Sequence, residues 1–221
     1  MKFTIRKRLK NLLWLLFIFL TAGGEYEFKS PQTLDGSRYP NLTSTIEGGL
    51  LMSWFEPLDS VTMSIKFSEF TGTSWTKPQT AIKSKTFFVN WADFPSIFQH
   101  GGDTIVLYWP EKSARGTYDY DVKTAISTDR GSTWKNPVIP HRDYGKGEHG
   151  FLSFFNDLNH KLNLVWLDGR NMAGQIEGEY GEMNLYLTSF DRNLNLEQEL
   201  QMDSRICECC PTSAVTSDNA V

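Results

Sequence analysis

The chain's three cysteines fall together, as Cys207-Glu208-Cys209-Cys210. Soft thiolate sulfurs spaced this way suit Cu(I) or Zn(II), and His141 or His149 could complete such a site. No fixed spacing of the C-x-x-C…H-x-x-x-H kind ties them together. A disulfide between such near neighbours is geometrically awkward, and three thiols leave one over. A bridge to a cysteine beyond Val221, or free thiols, are therefore the other readings. A second chemically loaded stretch runs from Gly147-Glu148-His149-Gly150-Phe151 through Leu162–Trp166 to Asp168-Gly169-Arg170-Asn171. Glu148 and Arg170 each stand at the end of an expected strand. Antiparallel pairing would bring this carboxylate and guanidinium to one face. Just upstream, Pro140-His141-Arg142-Asp143-Tyr144-Gly145 is a turn-rich loop that either lines the same pocket or is simply solvated.

The elements that must position these residues are short. Leu50–Phe55, Val61–Phe67, Thr104–Trp109, Val122–Ser127, Leu162–Leu167 and Met183–Phe190 are apolar or alternating runs between Gly, Pro, Asn and Asp turns. No segment after residue 24 keeps a helical period, so the pattern predicts an all-β chain of antiparallel meanders. The stretch Ser127-Thr128-Asp129-Arg130-Gly131-Ser132-Thr133-Trp134 reads as a strand, a tight turn and a new strand. Asp129 folds its carboxylate onto turn N–H groups, Gly131 takes a positive φ, and Trp134 covers the hairpin. Degenerate copies occur at Ser68–Trp75, with Phe70 in the Asp position, and at Ser189–Leu196, with Asn193 in the Gly position. The serines lie 59 and 62 residues apart, so the pattern is a structural repeat of about one four-stranded blade.

The pattern S-x-D-x-G-x-T-W resembles the Asp box of the sialidase superfamily. That resemblance implies a six-bladed sialidase-like β-propeller, of which residues 25–221 would supply about three blades and the start of a fourth, the remainder lying in a longer chain. Arg38-Tyr39-Pro40 resembles the family's R-I-P motif, whose Arg belongs to a triad clamping the sialic acid carboxylate. Asp93, in Trp91-Ala92-Asp93-Phe94-Pro95, is similar to an Asp at the pocket rim. Asp59 falls in the loop where the family's acid/base Asp is expected, a turn Asp being the alternative. Glu148 and Arg170 match the Glu that polarises a Tyr nucleophile and the second Arg of the triad. P-H-R-D, E-H-G-F, W-L-D-G-R and C-x-C-C runs together are similar to those of exported bacterial sialidase-like proteins. The implied activity is exo-α-sialidase hydrolysis of a terminal sialic acid or related acidic sugar, with the Tyr and third Arg outside this chain and no cofactor needed beyond a metal at the cysteines. The rival from another class is a non-catalytic propeller that binds glycan or protein through the same funnel.

Composition narrows the setting. Lys2, Arg6, Lys7, Arg8 and Lys10 precede the apolar run Leu12–Leu20 and then Thr21-Ala22-Gly23-Gly24. That is the anatomy of a secretory signal over residues 1–24, and nine apolar residues fall short of the roughly 20 a spanning helix needs. The expected location is therefore secreted or periplasmic, with no membrane association after cleavage. Of 22 Lys+Arg and 26 Asp+Glu, removal of the signal leaves 17 against 26, a net charge of −9. So acidic a surface does not suit nucleic acid; the partner that the resemblance implies is a sialoside-like glycan.

Overall fold

The computed structural model describes residues 29–143, 145–172 and 181–217; the expected signal segment lies outside them. The described residues from Pro31 onward form one compact unit of eleven strands and no helix. β1 (Arg38–Ser44), β2 (Leu50–Pro57), β3 (Met63–Phe70) and β4 (Gln79–Ser84) make an antiparallel meander in that order. β5 (Ser96–Gly101), β6 (Thr104–Lys112) and β7 (Tyr120–Ser127) make a second, and β8 (His149–Asn156), β9 (Leu162–Asp168), β10 (Met183–Ser189) and β11 (Leu200–Ile206) a third. The second sheet departs from the expected four strands. Its last strand shrinks to one bridge between Thr124 and Val138, because Pro137 and Pro140 bracket that segment and cannot donate to a ladder.

The sheets pack in sequence order, with first strand against first strand: β1 on β5, and β5 on β8. Side-chain alternation along β6 explains how. Ile105, Leu107 and Trp109 join Leu51, Phe55, Ile65 and Phe67 in one core, while Val106 and Tyr108 join Leu152, Phe154, Leu164 and Trp166 in the next. A strand buried on both faces reads as a continuous apolar run. Residues 212–216 run along β8. Thr212 and Ser153 exchange hydrogen bonds of 2.8 Å, and Thr216 Oγ1 donates to Asn156 O.

Each sheet also repeats a clasp. On the second strand a buried Trp donates its indole N–H to the carboxylate two residues on: Trp54 to Glu56 (3.4 Å), Trp109 to Glu111 (2.7 Å), Trp166 to Asp168 (2.9 Å). On the neighbouring third strand Lys66 pairs opposite Trp54 and reaches Glu56, and Lys123 pairs opposite Trp109 and reaches Glu111.

The middle repeat of the turn motif forms as its residue types require. Ser127 Oγ donates to Asp129 Oδ1 (2.7 Å), which also accepts from Thr133 N (2.8 Å), and Gly131 N donates to Ser127 Oγ (2.8 Å). Trp134 packs edge-on against Phe67 of the first sheet rather than over its own hairpin. The upstream copy closes by Phe70 on Trp75 (ring centroids 5.4 Å apart), replacing the missing carboxylate with ring contact. In the downstream copy the positive φ falls on Leu194, not on Asn193. Asp191 Oδ1 there accepts from Asn193 N and Asn195 N, the same turn that Asp157 makes with Asn159 N and Lys161 N. It is an ordinary Asx hairpin.

Gly131 lies at φ +86, and a Cβ there would sit 2.2 Å from Phe67 Cζ. Gly131→Ala should therefore cost about 1–3 kcal/mol through strain and overpacking between the first two sheets. Urea unfolding of the variant measures it, and Phe67→Leu in the same background should recover part of the loss. An unchanged midpoint would show that the two sheets are not locked at this turn.

Candidate functional site

A cleft of about 600 Å³ opens where the connections after β4, β6, β9 and β11 meet the start of β8; its lining includes Trp91, Tyr118, Tyr120, Lys146, Glu148 and Cys209. Tyr120 opens β7 and stacks on Phe88 at 4.1 Å. Its hydroxyl donates to Glu148 Oε1 at 2.8 Å. Beneath it lies Asp93, 2% exposed, which accepts from Tyr108 OH (2.6 Å) and Phe151 N (3.0 Å). A bulge in β8 aims that N–H: register with β9 skips from Gly150 to Ser153, and Phe151 takes φ +53. Gly150 is required there, since a Cβ would stand 2.1 Å from Asp93 Oδ2 and 2.7 Å from the Tyr120 ring.

Burial dominates the electrostatics. It pushes the Asp93 carboxyl up to about 7 against the opposing pull of its hydrogen bonds. Burial also raises Glu148, and burial together with Asp93 and Glu148 holds Tyr120 firmly in its phenol form. One phenol and two carboxyls, all with their proton-bound forms favoured by burial, thus meet at and beneath the cleft floor, groups of the kind that serve as acids and bases.

The other expected site residues lie elsewhere or in other roles. Asp93 is under the floor rather than at the rim. Asp59 is exposed in the β2–β3 hairpin, and its Oδ1 accepts from Val61 N and Thr62 N at 2.8 Å each. Those bonds lower its pKa, the opposite of what an acid/base group needs. Arg38 is exposed at the start of β1, its Nε donating to Gly36 O. Arg170 does not line the cleft. It donates to Asp168 through Nε (2.8 Å) and Nη2 (2.7 Å) and to Glu199 through Nη1 (2.7 Å) and Nη2 (3.1 Å). Its guanidinium lies 3.9 Å from the centre of the Tyr186 ring. Tyr186 pairs opposite Trp166, so Arg170 supplies to this clasp the cation that Lys66 and Lys123 supply to the others.

Two clusters carry metal-ligand chemistry. The sulfurs of Cys207 and Cys209 are 3.4 Å apart and those of Cys210 and Cys207 3.3 Å, beyond the roughly 2.04 Å of a disulfide. They are exposed, with Cys209 at the cleft wall. The second cluster is buried. His141 and His149 stack at 4.0 Å and 5° beside Asp121, Asp143 and Asp168. His141 is thus buried, not a solvated loop residue. Tyr120, Asp121 and Asp168 were not expected at a site. Their signal was the acidic-aromatic run Tyr118-Asp119-Tyr120-Asp121 directly before a strand, and the Asp of W-L-D-G-R.

No family model matches the chain, and neither does any curated protein. Among solved structures it is similar to a thermostable family-43 glycoside hydrolase (10% identity, 82% of this chain, 58% of that chain, TM-score 0.51). It is also similar to an endo-1,4-β-xylanase from Bacteroides thetaiotaomicron (16% identity, 83% of this chain, 65% of that chain, TM-score 0.51). A mutant of the NanB sialidase from Streptococcus pneumoniae is a further neighbour (12% identity, 72% of this chain, 22% of that chain, TM-score 0.46). The chain therefore spans less than two thirds of each of these. At these identities the likeness bears on the fold alone, an all-β fold shared with the first two.

Two measurements check the site's electrostatics. The folded state holds the Asp93 proton up to about pH 7, whereas the unfolded chain releases it near pH ~4. Stability is lost as pH rises through that window, by on the order of a few kcal/mol. Asp93→Asn should flatten the fall in melting temperature between these pH values; an identical profile would remove the buried proton. Arg170→Ala strands the fully buried Asp168 and should cost roughly 3–5 kcal/mol in denaturant unfolding. A variant as stable as wild type would free Arg170 for another role.

Proposed function

We propose that this protein is an exported glycoside hydrolase whose cleft takes the terminal sugar of a glycan, with Tyr120 as nucleophile and Glu148 as its base. The observation that carries this reading is the 2.8 Å hydrogen bond from Tyr120 to Glu148 at the cleft floor. A phenol is a weak nucleophile until a carboxylate takes its proton. In the step proposed, Tyr120 Oη bonds to the anomeric carbon while its proton passes to Glu148 Oε1. The glycosidic bond breaks, and the leaving oxygen takes a proton from a carboxylic acid; water, giving its proton to that carboxylate, then displaces Tyr120, which regains its proton from Glu148. Trp91 and Tyr118, both exposed in the cleft lining, offer flat apolar faces to a sugar ring. A sialic acid is the sugar indicated by the motif resemblance. By the same resemblance Arg38 and Arg170 are its candidate carboxylate partners, although neither is among the residues lining the cleft.

A second reading, a glycan-binding propeller without turnover, is favoured by the burial that keeps Tyr120 protonated. Aryl glycosides, the 4-methylumbelliferyl sialoside and neutral pentosides among them, separate the two when assayed with the protein. Tyr120→Phe and Glu148→Gln should each lower kcat by at least about a hundredfold, the scale of a lost acid/base group, with KM little changed. Full activity in Tyr120→Phe would overturn the nucleophile. Glycan binding with no turnover of any glycoside would establish the second reading.

A further inference from the structure

Six buried side-chain N or O atoms among the described residues lack a hydrogen bond, and four of them meet at one place: His141 Nε2, Asp143 Oδ2, His149 Nδ1 and His149 Nε2. His149 is fully buried. An imidazole there with neither nitrogen satisfied is costly, and such a group calls for a ligand. The charges point the same way. Asp121, Asp143 and Asp168 face the two imidazoles, and Arg170 is the guanidinium set against Asp168, its charge also met by Glu199.

We propose that His149 Nε2, Asp143 Oδ2 and Asp168 Oδ1 bind a divalent first-row transition ion, with zinc the best fit. His149 Nε2 lies 3.3 Å from the Asp143 oxygen and 3.5 Å from the Asp168 oxygen. A tetrahedral ion with bonds of about 2.0–2.1 Å places its ligand atoms about 3.4 Å apart. Both spacings from His149 match that figure, and all three ligand atoms lie within 4.8 Å of one another; Asp168 Oδ1 also accepts from Arg170 Nε and would share its lone pairs with the ion. One imidazole and two carboxylates suit zinc, iron or manganese, whereas Cu(I) prefers sulfur. The second ring nitrogen, Nδ1, faces Asp121 Oδ1 at 3.9 Å, the carboxylate that would orient the imidazole as metal-bound histidines require. His141 lies flat over the ring and covers it from water. The Asp143 side chain, 23% exposed, leaves an entry on one side. This site is separate from the glycosidase reading, and its test needs no turnover.

The 221-residue chain, stripped with chelator and given one equivalent of Zn(II), should retain about one ion per chain through gel filtration. The triple variant Cys207→Ser, Cys209→Ser, Cys210→Ser should retain it equally, which separates the site from the thiols. Asp143→Asn, nearly isosteric and partly exposed, should bind at least about a hundredfold more weakly, and Asp121→Asn about ten- to a hundredfold. Co(II) in the triple variant should show tetrahedral d–d absorption. His149→Gln is a second ligand variant, its folding checked by circular dichroism. Zinc lost in the triple variant, zinc held at wild-type affinity by Asp143→Asn, or no retention by the wild type would each overturn the proposal.

Discussion

The constraint on which this architecture rests is that a buried indole N–H must find an acceptor. Trp54, Trp109 and Trp166 are each at most 1% exposed, and a donor left unmade at such depth costs about 1–3 kcal/mol. Each sheet meets that need with the carboxylate two residues on, which the strand's period puts on the same face. A buried carboxylate then needs its own partners. In the first sheet they are Lys66, Leu34 N and Ser37; in the second they are Lys123, Ser84 and Thr86. Packing the indole thus fixes the third strand's register and the chain just outside the sheet.

The third sheet meets the same need with different residues, and the site follows from that change. Tyr186 stands where the Lys would be, and the cation comes from Arg170, just beyond the strand. The shorter Asp168 is gripped by the guanidinium at both oxygens, and its Oδ1 also faces His149. Asp168 and His149 are register partners across β8 and β9. A residue that reads by motif as a carboxylate clamp is therefore spent on the core.

Much of this was legible in the sequence. Alternating runs and turn residues marked the all-β meanders, and Ser127, Asp129, Gly131 and Thr133 marked a turn that forms as their chemistry dictates. Glu148 was marked as chemical and lies in the cleft. Other features depend on what meets what across sheets. Trp134 reaches Phe67 only because the second sheet packs on the first. Asp93 lies under the floor because a bulge turns Phe151 N–H toward it, and no local pattern announces a bulge. Asp59 and Asp191 look like functional or motif carboxylates, yet each has turn N–H groups next to it, and these satisfy it first. The Trp-x-Asp/Glu clasp was present three times, at spacings of 55 and 57 residues. Its meaning emerges only when the indole is seen to be buried.

The two chemical centres are joined at a single peptide. Glu148 and His149 are consecutive where the chain enters β8, and their side chains leave on opposite sides. Glu148 goes outward to Tyr120 and the cleft; His149 goes inward to His141, Asp143 and Asp168. The backbone between them is held from both directions, since Glu148 O accepts from Gly169 N at 2.8 Å and Tyr120 N donates to Gly147 O at 3.0 Å. Gly150 and the strained Phe151 follow at once, fixed by Asp93. The order Glu-His-Gly-Phe is what this geometry requires: an acceptor for the cleft, a ligand for the interior, room for the buried carboxyl, and an N–H to hold it.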